Sequence, residues 1–179
     1  MSFFKPNFWK KRYSILSILL LPISILVQML FFIKKKITKK KSFPVPIICI
    51  GNIYIGGTGK TPLAIKTSLM IKKLNRSPAI IKKFYANQKD EIELIKEKTN
   101  NLVIGSTRKE AIDKAVKKNF DIIILDDGFQ DHSIKKNLNI LCFNSGQLTG
   151  NGFTIPSGPL RETLYSIKNC QMIIVNGSR

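Results

Sequence analysis

Acidic residues are absent from the first half of the chain: no Asp or Glu occurs before Asp90. The net charge of +19, from 30 Lys and Arg against 11 Asp and Glu, is therefore concentrated where nothing balances it, which points to an anionic partner. Cysteine is scarce: Cys49, Cys142 and Cys170 are widely spaced and sit in or beside apolar runs. That spacing excludes a disulfide framework and a zinc site and reads as buried, reduced thiols of a cytoplasmic domain. Histidine occurs once, as His132, which reads as a solvent-facing residue without a catalytic role. No internal repeat or long low-complexity tract is present, and no basic segment interleaved with aromatics supports nucleic-acid binding.

What is present begins with an uncharged run from Ser14 to Ile33, bracketed by Lys10, Lys11 and Arg12 and by Lys34 to Lys36 and Lys39 to Lys41. As a helix this run would be about 30 Å long, enough to span a bilayer. Alternatively, a helix bent at Pro22 and lying in the inner leaflet would put both basic flanks against anionic lipid. Phe3, Phe4, Phe8 and Trp9 add candidate interfacial anchors. A lysine cluster where a small-residue cleavage site would stand argues against a cleaved signal peptide. The reading is an anchoring segment at 1–41 and one α/β domain at 42–179, with the domain on the cytoplasmic side of the inner membrane.

Phe43-Pro-Val-Pro46 stops any helix and introduces a strand at Ile47–Ile50. Further short apolar runs at Ala79–Ile81, Leu102–Ile104, Ile122–Leu125, Ile140–Phe143 and Met172–Val175 predict strands buried on both faces. Helices are predicted between them at Thr61–Leu74, Glu91–Lys98 and Arg108–Lys118, the last opened by a Thr107-x-x-Glu110 capping box. The expected fold is α/β with a mostly parallel sheet.

The segment Gly56-Gly57-Thr58-Gly59-Lys60-Thr61, between the first strand and Pro62, has the makings of a phosphate-cradling loop. Glycines turn backbone N–H groups inward, Lys60 places charge between the terminal phosphates of ATP, and the Thr61 hydroxyl can ligate magnesium. The loop is a variant, because Tyr54 occupies the place of the first generic glycine. A second constellation, Asp126-Asp127-Gly128-Phe129-Gln130, follows the strand Ile122–Leu125. Carboxylates at the end of a parallel strand beside a P-loop are candidates for holding Mg2+.

Gly51-Asn-Ile-Tyr-Ile-Gly-Gly-Thr-Gly-Lys-Thr-Pro62, Asp126-Asp-Gly-Phe-Gln130, and Gly150-Asn-Gly152 followed by Pro156-Ser-Gly-Pro-Leu-Arg-Glu162 resemble, in order, the motifs of the tetraacyldisaccharide 4'-kinases of lipid A biosynthesis. The resemblance implies transfer of the γ-phosphate of ATP to the 4'-hydroxyl of a lipid-linked glucosamine disaccharide 1-phosphate. It implies Lys60 on the β- and γ-phosphates and Mg2+ held by Thr61, Asp126, Asp127 and Glu162. It also implies Asp90 as the base that accepts the sugar hydroxyl proton. Without the resemblance, Asp90 reads as a helix N-cap and Arg161 and Glu162 as a surface pair.

The chain departs from the family pattern in three places. Lys82-Lys-Phe-Tyr-Ala86 replaces the usual Ser-Arg-Gly-Tyr-Gly loop, and Asp131 replaces the histidine after Gln130. The family's second lobe, with a base-assisting histidine, would lie beyond Arg179. The expectation is therefore a fragment, a lobe supplied by a separate chain, or a catalytically inactive nucleotide-binding unit. A membrane-bound regulatory ATPase of the positioning type shares the loop chemistry, but Ile55 stands where its signature lysine would be.

Overall fold

The computed structural model describes residues 5–11, 13–84 and 89–177. Six strands, β1 (Ile47–Gly51), β2 (Pro78–Lys83), β3 (Leu102–Gly105), β4 (Ile122–Asp126), β5 (Leu138–Asn144) and β6 (Met172–Asn176), form one sheet in the order β3-β2-β4-β1-β5-β6. Every pairing is parallel. Each predicted strand lies within an observed one. The β-branched runs read well because side chains alternate between two cores. Cys49, Ile81, Ile123, Leu125 and Leu141 enter one. Ile50, Ile80, Ile124, Ile140 and Cys142 enter the other.

Helices α3 (Lys60–Lys73) and α4 (Lys89–Lys98) contribute Ala64, Ile65 and Ile95 to the second core, and α5 (Arg108–Lys117) contributes Ala111, Ile112 and Ala115 to the first. The α5 cap differs from the expected box by one position. Thr107 accepts from the Glu110 N–H as predicted, but the Glu110 carboxylate takes the N–H of Ser106. Strand β6 is the exception to burial on both faces. It forms one edge of the sheet, opposite β3, and Met172, Ile173 and Val175 are exposed. Cys49 and Cys142 are buried as expected, whereas Cys170 is only partly so.

The N-terminal run is not one helix. It breaks at Leu20 into α1 (Ile15–Leu19) and α2 (Leu21–Ile37), with Pro22 in the first turn of α2, where its missing N–H leaves no bond unmade. Among the described residues no helix is long and apolar enough to cross a membrane. The packing of the pair is inverted relative to an ordinary surface helix. Ser17 and Ser24 are buried, while Ile15, Leu19, Leu26 and Leu30 are more than half exposed. Ser24 donates to the Thr154 carbonyl (3.0 Å) and accepts from the Ser157 N–H (3.0 Å), and Ser17 accepts from Asn151 (3.1 Å). Gln28 donates to the Arg161 carbonyl at 3.3 Å. Trp9, expected as an interfacial anchor, is 5% exposed and donates its indole N–H to the Pro156 carbonyl. Phe8 is partly buried, and Phe3, Phe4 and Arg12 lie outside the described residues.

Candidate active site

Strand β1 sits at the middle of the sheet, so the loop that follows it opens at the carboxyl ends of the strands, where ligands of open α/β sheets bind. Gly59 caps α3 in the left-handed region (φ 79°), and a Cβ there would meet the Asn176 side chain at 2.6 Å. Asn52, fully buried, braces the loop from within: its amide donates to the Tyr54 carbonyl (2.6 Å), the Thr58 hydroxyl (3.1 Å) and the Gly56 carbonyl (3.3 Å). From outside, Asn176 donates to the Thr58 carbonyl (2.7 Å) and Gln130 to the Asn52 carbonyl (2.8 Å). The loop is thus held in shape before any phosphate arrives. Tyr54, at the variant position, is 5% exposed and belongs to the core, bridging Leu160. No acidic residue stands within the first turn of α3 itself.

Strand β4 pairs with β1 so that Asp126 lies opposite Ile50, one residue from the end of β1. That register puts Asp126, 1% exposed, against the first turn of α3, where its Oδ2 accepts from the Thr61 hydroxyl at 3.0 Å. The same oxygen accepts from Lys82 Nζ at 2.7 Å, and Lys82 also pairs with Glu91. Burial alone would lower the Lys82 pKa, but Asp126 and Glu91 together hold it above its ordinary value. Asp126 Oδ1 is buried with no partner among the described residues.

Asp127 turns the other way because its backbone is left-handed (φ 57°). Its carboxylate lies 3.7 Å from Lys60 Nζ and 3.1 Å from the Arg161 guanidinium, and Arg108 donates to its carbonyl. Burial would raise its pKa, yet Lys60, Arg161 and Arg108 keep it below the usual carboxylate range. The two adjacent aspartates therefore reach one helix turn by different routes, Asp126 to Thr61 and Asp127 to Lys60.

Beside this cluster opens a cavity of about 810 Å³, walled by Phe31, Phe32 and Lys35 of α2 on one side and by Asp127, Arg161 and Glu162 on the other. Glu162 Oε1 is buried without a partner among the described residues, and burial pushes the Glu162 pKa up.

The family model described as tetraacyldisaccharide-1-P 4'-kinase, LpxK, matches residues 16–179. The chain belongs to this family. A tetraacyldisaccharide 4'-kinase of Pelagibacter ubique is 45% identical over 175 residues, covering 97% of this chain and 55% of that protein. One from Rickettsia africae is 34% identical over 172 residues, covering 88% and 53%. The chain thus spans about half the length of the curated relatives it matches. Among solved structures, LpxK from Aquifex aeolicus in complex with ATP superposes with a TM-score of 0.75 at 26% identity, over 90% of this chain and 59% of that one. FtsY from Mycoplasma mycoides, at 16% identity and a TM-score of 0.51, shares the fold alone.

Of the residues that the family resemblance singled out, Lys60, Thr61, Asp126 and Asp127 converge. Arg161 and Glu162 are no surface pair: one salt-bridges Asp127 and the other buries an oxygen at the cavity wall. Asp90 is exposed in the first turn of α4, next to Glu91, which reaches Lys82. His132 is not solvent-facing but half-buried at the cavity wall. The family's altered loop falls partly on residues 85–88, so Tyr85 and Ala86 lie outside the described residues. Among the described residues no three His, Cys, Asp or Glu side chains stand close enough to hold a metal alone. The pairing of Thr61 with a buried aspartate that keeps one oxygen unpartnered nevertheless fits Mg2+, which takes few protein ligands and completes its shell with phosphate and water.

Sequence reading missed Asn52, Lys82, Arg108, Lys136 and Asn176. Lys136, partly buried beside the Asp-Asp-Gly-Phe-Gln turn, donates to the carbonyls of Gly128 (2.6 Å) and Phe129 (2.8 Å). A lysine at the end of an otherwise apolar buried strand, as at Lys82, was the one local signal available.

Proposed function

We propose that this chain binds ATP on Gly56–Thr61 and transfers its γ-phosphate to the 4'-hydroxyl of a tetraacyldisaccharide 1-phosphate held at a membrane surface. The observation that carries this reading is the Thr61–Asp126 hydrogen bond beneath a braced P-loop, in a chain that the family model matches from residue 16 onward. Gly56, Gly57, Thr58 and Gly59 present N–H groups to the phosphates, and Lys60 moves from Asp127 toward the β- and γ-phosphates as they enter. Thr61 and Asp126 would hold Mg2+, with phosphate and water oxygens completing its shell rather than Asp127 and Glu162, which do not close on the same point. Bound there, the ion neutralises charge on the transferring phosphoryl group. Arg161 stays on Asp127 and keeps its carboxylate ionised and aimed at the site.

The acceptor hydroxyl oxygen forms the new bond to phosphorus, the bond from phosphorus to the β–γ bridging oxygen breaks, and ADP leaves. The hydroxyl proton passes to the Asp90 carboxylate. The cavity between α2 and Arg161 suits the disaccharide headgroup: polar and charged on the kinase wall, aromatic on the α2 wall, with Lys34 and Lys35 available to its phosphate. The outward apolar side chains of α1 and α2 and the basic cluster Lys34 to Lys36 support interfacial docking on anionic lipid at the cytoplasmic face of the inner membrane.

The test is transfer of labelled γ-phosphate from ATP to tetraacyldisaccharide 1-phosphate in mixed micelles, with Lys60→Ala as control. Transfer that falls ~10²-fold or more in the variant supports the reading, as expected on losing a preorganised charge. ATP binding without transfer would make this chain a nucleotide-binding unit that needs a second lobe from elsewhere. Transfer indifferent to Lys60 would overturn the assignment.

A further inference from the structure

Lys82 is the most deeply buried cation of the site, its side chain 3% exposed. A lysine is rarely enclosed in this way unless carboxylates surround it. Here two do: Asp126, whose side chain is wholly buried, at 2.7 Å, and Glu91, about half exposed, on the outer side. Three elements therefore meet at one ammonium, the end of β2, the metal-site carboxylate of β4 and the first turn of α4.

That meeting has two geometric results. Asp126 Oδ2 accepts from both Thr61 and Lys82, which fixes the carboxylate rotamer and leaves Oδ1 as the oxygen still to be used. Helix α4 itself is thinly packed. Only Ile92 and Ile95 among its apolar side chains are buried, so the Lys82–Glu91 pair supplies a strong contact at its N-terminal end. Asp90 stands one residue before Glu91 in that turn.

We infer that Lys82 is a positioning residue that ties the start of α4, and with it Asp90, to the Asp126 carboxylate, so that the proton acceptor and the metal-holding carboxylate form one rigid unit. This rests on the kinase reading only for its kinetic consequence; the mechanical link is independent of it. A neutral side chain at 82 would leave α4 free to lift from the site while the P-loop, braced by Asn52 and Asn176, keeps its shape.

The experiment is hydrogen exchange by mass spectrometry on the full chain and on its Lys82→Met, Glu91→Gln and doubly substituted variants, read in peptides covering residues 91–98. It is paired with calorimetric binding of ATP and with turnover. Exchange in α4 should rise about tenfold in each single variant and no further in the double, as a local opening released by one shared contact. ATP affinity should stay within about threefold while kcat falls about tenfold or more, because a displaced reacting group slows chemistry without loosening nucleotide. Lys82→Arg should restore part of both. Should Lys82→Met fail to fold, Glu91→Gln, altered at a half-exposed carboxylate, carries the test alone. Unchanged α4 exchange in Glu91→Gln would overturn the proposal, as would loss of ATP binding in that variant. If the unsubstituted chain shows no transfer, the kinase reading fails while the exchange data still decide the role of Lys82.

Discussion

The Thr61 hydroxyl donates to Asp126 Oδ2 across 3.0 Å, joining the first turn after the phosphate loop to the end of the neighbouring strand. The bond exists because β1 and β4 are adjacent and in register, with Ile50 beside Asp126. Asp126→Asn should keep the shape and remove the charge. Mg2+-dependent tightening of ATP binding should weaken by about tenfold and turnover by ~10²-fold, in line with losing one charged ligand of a phosphoryl-transfer site. Calorimetry with and without Mg2+ checks this, and equal tightening in the variant would contradict it.

Asn52→Ala removes three hydrogen bonds from inside the phosphate loop and leaves the Tyr54 and Gly56 carbonyls to find other partners. Each unmatched buried polar group costs about 1–3 kcal/mol. Urea unfolding should report a loss of that order, and ATP affinity should drop about tenfold as the loop loses its preset shape. An unchanged affinity would show that the phosphates, not Asn52, organise the loop.

Ser24 is buried and Leu30 exposed on α2, and substitutions at the two should have opposite signatures. Ser24→Val breaks the bonds to Thr154 and Ser157 and should destabilise the fold by about 1–3 kcal/mol. Leu30→Glu, at a side chain 69% exposed, should leave the melting temperature nearly unchanged yet weaken flotation with anionic vesicles severalfold. Vesicle binding that survives Leu30→Glu and Leu26→Glu together would remove the docking role of this face.

His132 stands half-buried near Lys35, Lys136 and Lys40, and burial followed by those charges pushes its pKa from 6.5 down to about 4. The folded chain keeps the imidazole neutral where the unfolded chain protonates it, so this group contributes stability that is present above pH 6.5 and lost as pH falls toward 4. His132→Gln should flatten that part of the stability profile relative to the unsubstituted protein. Parallel profiles across this window would mean that the imidazole titrates normally in the fold.

Much of the architecture was legible because its signals are local. Ile47–Ile50 and Ile122–Leu125 are β-branched or leucine-rich runs too short for helices, and a strand buried on both faces needs nothing else. The P-loop was legible because glycines, lysine and threonine each have a chemical reason to be adjacent. The N-terminal run was legible as helical, apolar and interrupted near Pro22, with the break falling at Leu20, but not in its orientation, since Ser17 and Ser24 look like tolerated polar residues until Asn151, Thr154 and Ser157 are seen beneath them. The partners of Lys82 and Asn176 were illegible for a related reason. What each touches depends on strand order, β2 beside β4 and β6 at the edge, and nothing near either residue in the chain encodes that order.

Asn176 closes the phosphate loop onto a residue 118 positions earlier. During synthesis, then, the glycine loop emerges long before the side chain that clasps it, and a nascent chain halted within β5 has every phosphate-binding residue but an unlatched loop. Nucleotide capture should in this sense wait for the arrival of the sixth strand of the sheet. Chains stalled at successive lengths should gain ATP protection against proteolysis only once Asn176 has left the ribosome; protection at shorter lengths would show the latch to be dispensable.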